Sequence, residues 1–146
     1  MRRFLLMTAI VATTLTLAAA ANETAPTAKA PLDGTAWTVK VTPDEAATKL
    51  GDKPFDDILM FSTGRVSMSE CLKYGYKPSR YTTVKSGEGW TVTTEQVSEK
   101  DGKTVWNAAI AGDTITGTLV STKKDGSVRN YTFEGKKAGQ GKKTGR

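Results

Sequence analysis

Few residues in this chain of 146 could carry catalytic chemistry, because it has no histidine and a single cysteine. Without histidine it cannot build a Ser-His-Asp or Cys-His nucleophilic centre, and it lacks the commonest general base. The same composition removes most zinc and non-haem iron sites, which rely on imidazole and thiolate ligands. We therefore expect neither a metal nor any other cofactor.

Carboxylates remain as candidates, but their spacing does not suit a shared reaction. Asp56 and Asp57 are adjacent in a predicted strand, so their side chains point to opposite faces. Glu70 precedes Cys71, and a nearby negative charge raises the pKa of a thiol, which disfavours a reactive nucleophile. Cys71 is expected to be buried or to pair with a second chain. A carboxylate-only glycan hydrolase would need two carboxyl groups facing each other across a cleft. The sequence thus predicts a protein that is not an enzyme.

The N-terminal residues 1–21 have the organisation of a secretory signal peptide. Arg2 and Arg3 precede an uncharged stretch from Phe4 to Leu17, and a run of alanines follows. The apolar stretch is short and interrupted by threonines, so we expect cleavage rather than a membrane anchor, and no membrane span afterwards. The predicted location is the periplasm or the exterior of a bacterial cell. Three further segments are expected after the signal peptide: a flexible linker at 22–31, one domain at 32–136, and a disordered basic tail at 137–146.

The formal net charge of +6 is concentrated near the two chain ends. Arg2 and Arg3 belong to the predicted signal peptide, and five more basic residues lie within 136–146. The domain itself is close to neutral. A short solvated tail explains the basicity, so we do not expect nucleic acid as the main partner.

The domain alternates apolar and polar residues with a period of two, and Gly- or Asp-rich turns interrupt the alternation every eight to twelve positions. This pattern predicts eight short strands joined mostly by hairpins. Thr42 as cap, Pro43 at the first position and Gly51 at the end predict a short helix after the first strand. Residues 70–79 break the alternation and are expected to form a structured loop. An up-and-down series of eight strands favours a closed antiparallel barrel, with a two-sheet sandwich as the alternative.

The opening of the domain, Leu32-Asp33-Gly34-Thr35-Ala36-Trp37, resembles the start of lipocalin-like domains of the calycin superfamily. The closing stretches 112–118 and 130–133 resemble the last two strands of small bacterial members. Two residues separate Gly34 from Trp37, however, whereas one residue separates them in the Gly-x-Trp of lipocalins. A weaker similarity to META-type exported domains rests on residues scattered through the first half of the domain: Leu32, Gly34, Thr35, Trp37, Phe61, Gly64, Val66, Ser67 and Cys71.

The lipocalin resemblance implies structural roles for three residues. Trp37 would pack across the closed end of the barrel, and Gly34 would shape the turn before it. Arg129 or Lys136 would stack its cation on the indole of Trp37. The resemblance also implies a lumen that could hold a ligand.

Two functions remain open, and both are non-catalytic. The first is an exported binding module that holds a small hydrophobic or amphipathic molecule in the barrel, where Ala108, Gly117 and Thr94 would leave room. The second is a structural or interaction protein of the cell envelope with a filled core and no small ligand. The expected inward-facing side chains are Trp37, Val39, Leu59, Phe61, Val66, Met68, Tyr81, Trp90, Val92, Trp106, Ile110, Ile115, Leu119, Tyr131 and Phe133. The candidate ligand-binding residues are Trp106, Tyr81, Tyr131, Met68, Tyr76 and Arg80.

Overall fold

Eight antiparallel strands follow one another in sequence order around a closed barrel in the computed structural model, which describes residues 30–139. The first strand also pairs with the last, for example Val41 with Phe133, and this pairing rules out a two-sheet sandwich. The predicted barrel and the helix after the first strand are confirmed. The elements are β1 Thr35–Pro43, α1 Glu45–Lys49, β2 Phe55–Ser62, β3 Arg65–Met68, α2 Ser69–Lys73, β4 Ser79–Ser86, β5 Gly89–Ser98, β6 Gly102–Ala111, β7 Thr114–Lys123 and β8 Val128–Lys137.

Several expectations concern residues outside the described range. The signal peptide at 1–21, most of the linker at 22–31 and the tail from residue 140 onward lie outside residues 30–139. Within that range, β8 reaches Lys137, and the backbone N–H of Ala138 donates to the carbonyl of Ala36 at 2.8 Å. The sheet therefore continues slightly beyond the domain boundary predicted at residue 136.

The period-two pattern determines which side chains enter the barrel. In β5, Val92, Thr94, Gln96 and Ser98 are buried, and every residue between them is exposed. Because successive side chains of a strand point to opposite faces, one apolar or small residue at every second position is enough to line the interior. The predicted inward positions are buried or half-buried in every strand, although β3 departs from the alternation because Ser67, between Val66 and Met68, is buried as well.

The interior is filled by side chains, including the positions where small residues were expected to leave space. A Cβ placed on Gly117 would lie 2.5 Å from Cζ of Phe133, so the Phe133 ring occupies the room that the glycine leaves. The same ring meets Trp106 edge-on, with 6.0 Å between the ring centroids. Trp106 is only 3% exposed and Met68 is 0% exposed. These contacts are those of a packed core.

The two ends of the barrel differ in structure. The connections after β1, β3, β5 and β7 gather at one end, which carries α1 and α2 and is called the helix end below. The other end, called the termini end, receives the first and last described residues. Buried side chains are apolar towards the termini end, whereas buried polar side chains concentrate towards the helix end: Asp57, Thr94, Gln96, Ser98, Thr104 and Ser121.

Trp37 closes the termini end, but without the cation that the lipocalin resemblance implies. The indole is 1% exposed and donates from Nε1 to the hydroxyl of Thr35 at 3.0 Å. Gly34 has a positive φ of 85° and donates its N–H to the carbonyl of Phe61, which shapes the turn into β1. Arg129 lies at the opposite end of β8 from Lys137, the partner of Trp37, and Lys136 is exposed on the outer wall. Neither cation stacks on Trp37.

The start of α1 differs in detail from the prediction. Pro43 is the buried last residue of β1 and pairs with Tyr131. Asp44 is the N-cap, and its Oδ1 accepts from the backbone N–H of Ala47 at 2.7 Å. The cap lies two residues after the expected Thr42, because the strand continues through Pro43 before the chain turns.

Candidate functional site

Residues 69–78, which we call the cap segment, cover part of the helix end. The segment begins with α2, whose N-cap residue Met68 has no polar side chain to satisfy the free N–H groups. Asp57 of β2 supplies the acceptor instead: its Oδ2 accepts from the backbone N–H of Glu70 at 3.0 Å. Oδ1 of the same carboxylate accepts from the N–H of Ile58 at 2.7 Å. Asp57 thereby ties the first turn of α2 to the barrel wall.

The pKa of Asp57 is raised by this environment. Burial is the largest cause, and the nearby Glu70 carboxylate adds to it, although the backbone N–H donors oppose the change. Asp56, the preceding residue, is exposed on the outer wall. The expectation that these two adjacent carboxylates face opposite sides is confirmed.

Tyr76 inserts from the cap segment into the end of the barrel. Its side chain is 3% exposed, and its hydroxyl donates to Oδ2 of Asp101 at 2.7 Å. Lys123 Nζ donates to the same oxygen, also at 2.7 Å. Burial above all, with the hydrogen bond to Asp101, raises the pKa of Tyr76. The tyrosine therefore stays protonated as a donor.

Two buried side chains of β5 attach the cap segment to the wall. Ser98 Oγ donates to the carbonyl of Tyr74 at 2.7 Å and accepts from the N–H of Asp101 at 3.1 Å. Gln96 Nε2 donates to the carbonyls of Val66 and Lys77 at 3.2 and 3.3 Å. Gln96 thus bridges the gap where β3 and β4 cease to pair.

A second charged group lies at the same end. Oδ1 of Asp52 accepts from Nη1 of Arg129 at 2.7 Å, and Oδ2 accepts from the hydroxyl of Tyr131 at 2.9 Å. Burial, the largest single effect, would raise the pKa of Asp52, but the bonds from Arg129 and Tyr131 outweigh it and leave the pKa below its ordinary value. At neutral pH this carboxylate is ionised and paired.

Strand alternation explains why both cations face the barrel axis. Lys123 has the same parity in β7 as the buried Leu119, and Arg129 has the same parity in β8 as the buried Phe133. Lys123 is the last residue of β7 and Arg129 the second of β8, so both lie at the helix end, where the aliphatic stems pack at the rim and the charged heads remain partly exposed. The β7–β8 turn places the two cations on neighbouring strands.

Between these groups lies a recess that we call the mouth pocket, with a volume of about 480 Å³. Tyr74 contributes an aromatic wall that is 57% exposed, and Lys123 Nζ lies 5.9 Å from the centre of its ring. The lining includes two aromatic rings besides that of Tyr74, three cations and one carboxylate. The lining residues are Gly51, Asp52, Lys53, Phe55, Tyr74, Lys123, Arg129 and Tyr131.

The six candidate ligand-binding residues do not form one site. Trp106 and Met68 belong to the packed interior. Tyr81 lies at the termini end, where its hydroxyl donates to Oδ1 of Asp33 at 3.0 Å, and burial first, then that bond, raises its pKa to about 12. Arg80 is exposed on the outward side of β4, opposite Arg65. The remaining two, Tyr76 and Tyr131, both lie at the helix end, where their hydroxyls donate to Asp101 and Asp52 respectively.

Cys71 provides the one thiol of the described residues, and it lies near the helix end. Cys71 is buried beside Met68, and burial, with the charge of Asp57, raises its pKa to about 12. A thiol in that state is a poor nucleophile. Among residues 30–139 there is no group of three or more acidic or cysteine side chains placed to hold a metal ion. Tyrosines and cations in fixed positions can instead orient a ligand.

The charged residues Asp52, Lys53 and Lys123 of the mouth pocket were missed from the sequence. Asp52 follows α1 in a connection without periodicity, so no local pattern marks it. Lys123 could have been found by extending the inward parity of Ile115 and Leu119 to the end of β7.

Comparison of the chain with family models, with curated proteins and with solved structures returned no match, so the function is argued from its own residues. No helix within residues 30–139 is long and apolar enough to cross a membrane.

Proposed function

We propose that this chain is an exported, lipocalin-like, non-catalytic binding module that holds a small amphipathic molecule in the mouth pocket. The observation that carries the proposal is the recess of about 480 Å³ at the helix end, which combines aromatic walls with charged groups. Ligand pockets typically have volumes of about 300–1,000 Å³ and pair apolar walls with a few placed polar groups. The signal-type N-terminus supports export.

The packed interior favours the mouth pocket over the lumen as the binding site. Phe133 occupies the space beside Gly117, and Ala108 next to it is 7% exposed. A lumen ligand would have to displace these side chains from a close-packed core, which is costly. The mouth pocket requires no such displacement.

The polar groups of the pocket are held in place before any ligand arrives. Tyr131 and Arg129 are fixed by Asp52, and Lys123 is fixed by Asp101. Side chains that are already ordered lose little entropy on binding, so such a site can bind with useful affinity despite its small area.

The alternative function is an interaction protein of the cell envelope that grips a partner through the helix end. Tyr74 and Leu72, which are 57% and 41% exposed on the same short segment, favour it. Exposed aromatic side chains are common anchors of protein interfaces.

A fragment screen monitored by ¹H–¹⁵N NMR tests the proposal. We expect binders to shift the amide signals of residues 51–55, 74, 123 and 129–131 together, and Tyr74→Ala to weaken them. Tyr74 is exposed, so this variant should keep the fold. Binders that shift the amide signals of interior strand residues instead would identify the lumen as the binding site. If no fragment of the library binds, the small-molecule function is refuted and the interaction function remains.

A further inference from the structure

One edge of the Arg129 guanidinium has no partner. Nη1 donates to Asp52, whereas the edge formed by Nε and Nη2 makes no hydrogen bond with any residue of the described range. Nε is also buried, and a buried N–H group without an acceptor is costly. Arg129 lines the mouth pocket and its side chain is 20% exposed, so a ligand can reach its outer N–H groups but not Nε.

The pocket as a whole offers more hydrogen-bond donors than acceptors. Lys123 Nζ uses one of its three N–H groups on Asp101. Lys53 adds a third cation to the lining. Asp52, the one carboxylate of the lining, already accepts from Arg129 and Tyr131. The complementary ligand is therefore rich in acceptors.

The exposed N–H groups of Arg129 and the ammonium of Lys123 match an acidic acceptor group. A carboxylate offers two oxygens, and both cations can donate charge-assisted hydrogen bonds to them. Tyr74, Phe55 and Tyr131 provide ring surfaces in the same recess. An apolar planar group joined to the carboxylate would cover them.

We propose that the ligand of the mouth pocket is a small aromatic carboxylic acid, whose carboxylate accepts from the exposed N–H groups of Arg129 and from Lys123 and whose ring lies against Tyr74. This inference rests on the proposed function, because it names the ligand class of the same pocket. Phosphate monoesters share the acidic oxygens, so the test must separate the two groups.

Calorimetric titration with three naphthalene probes supplies the test: 2-naphthoate, neutral 2-naphthamide and 2-naphthyl phosphate. We expect 2-naphthoate to bind the unmodified protein about tenfold more tightly than 2-naphthamide, the gain from charge-assisted hydrogen bonds. Arg129→Lys, which keeps the charge but loses the planar set of N–H donors, should remove about tenfold of the 2-naphthoate affinity and leave that of 2-naphthamide unchanged. Lys124→Gln is the control for surface charge: it removes a positive charge at the same end, but Lys124 is exposed and does not line the pocket, so both affinities should stay the same.

A second readout needs no substitution and stays valid if Arg129→Lys disturbs the fold. The ¹H–¹⁵N signal of Arg129 Nε should shift when 2-naphthoate is added and stay in place with 2-naphthamide. Equal affinities for these two probes would overturn the assignment of a carboxylic acid as the ligand and leave the binding function intact. Tighter binding of 2-naphthyl phosphate would reassign the site to phosphate. Failure of 2-naphthoate to bind would overturn the inference, and the fragment screen would then decide separately on the pocket.

Discussion

The hydroxyl of Tyr76 and the carboxylate of Asp101 lie 25 positions apart in the chain and are joined by a 2.7 Å hydrogen bond. This bond connects the cap segment to the β5–β6 turn, and Lys123 extends it to the end of β7. A single carboxylate oxygen thus links three parts of the helix end.

Tyr76→Phe should destabilise the protein by about 1–2 kcal/mol, because it removes a buried hydrogen bond to a charged group while keeping the ring. Urea unfolding followed by tryptophan fluorescence measures the change. Tyr74→Phe is the control: Tyr74 is exposed, and its hydroxyl makes no hydrogen bond with the residues at 30–139, so stability should stay the same. Equal losses in both variants would contradict the role assigned to Tyr76.

Asp57→Ala should cost about 1–3 kcal/mol, because the N–H groups of Ile58 and Glu70 lose their acceptor. The neighbouring Asp56→Ala serves as the matched variant, since that side chain is exposed, and it should change stability by less than about 0.5 kcal/mol. Circular dichroism during urea unfolding compares the two. A stable Asp57→Ala variant would mean that α2 does not need its cap.

Asp52 and Asp101 should make the protein less stable in acid. Burial pulls the pKa of each upward, but hydrogen bonds from Arg129 and Tyr131 to Asp52, and from Lys123 and Tyr76 to Asp101, leave both below the ordinary 3.8. A carboxylate whose folded-state pKa is depressed stabilises the fold above its unfolded-state pKa and loses that contribution as the pH falls through the folded value.

The free energy of unfolding should therefore drop as the pH falls below about 4. Asp52→Asn should be less stable than the unmodified protein at pH 7, and the difference should shrink towards pH 2. Asp57 has a raised pKa, so its contribution to the pH dependence of stability has the opposite sign. This contribution is present in both proteins, and the quantity compared is therefore the difference between their free energies of unfolding. A difference that is constant with pH would refute the assignment.

Cys71 should react slowly with thiol reagents in the native state. Burial, with the charge of Asp57, raises its pKa from 9.0 to about 12, which lowers the thiolate fraction about a thousandfold at neutral pH. Labelling with a chromogenic disulfide should become fast only in urea, and Cys71→Ser should give no signal. Rapid native labelling would show that the thiol is accessible.

The architecture was predictable because its main determinant is local. Alternation in β5 and β8, such as Tyr131 and Phe133 facing inward, follows from the two-residue repeat of a strand. Hairpin connections then fix the order of the strands. The cap segment was expected only as a loop, because the stability of α2 depends on Asp57, a residue of another element.

The mouth pocket was harder to predict, because it is assembled from positions distant in the chain. Arg129 and Asp52 are 77 residues apart, and neither carries a local sign of its partner. The resemblance to lipocalins also directed Arg129 towards Trp37, although the two lie at opposite ends of the barrel. The two-residue alternation was correct for the side chains of both Arg129 and Trp37. Their positions along the barrel axis, however, depend on the register of the strands.

The N-terminal turn of the domain contacts the β2–β3 turn through Asp33, and Lys137 contacts the β6–β7 turn through its backbone N–H. The first and last described residues therefore lie on the side of the barrel away from the mouth pocket. A fluorophore or fusion partner attached close to either of these positions would leave the pocket facing the solution. A linker joining these two positions would likewise allow new termini to be opened at another turn without crossing the recess.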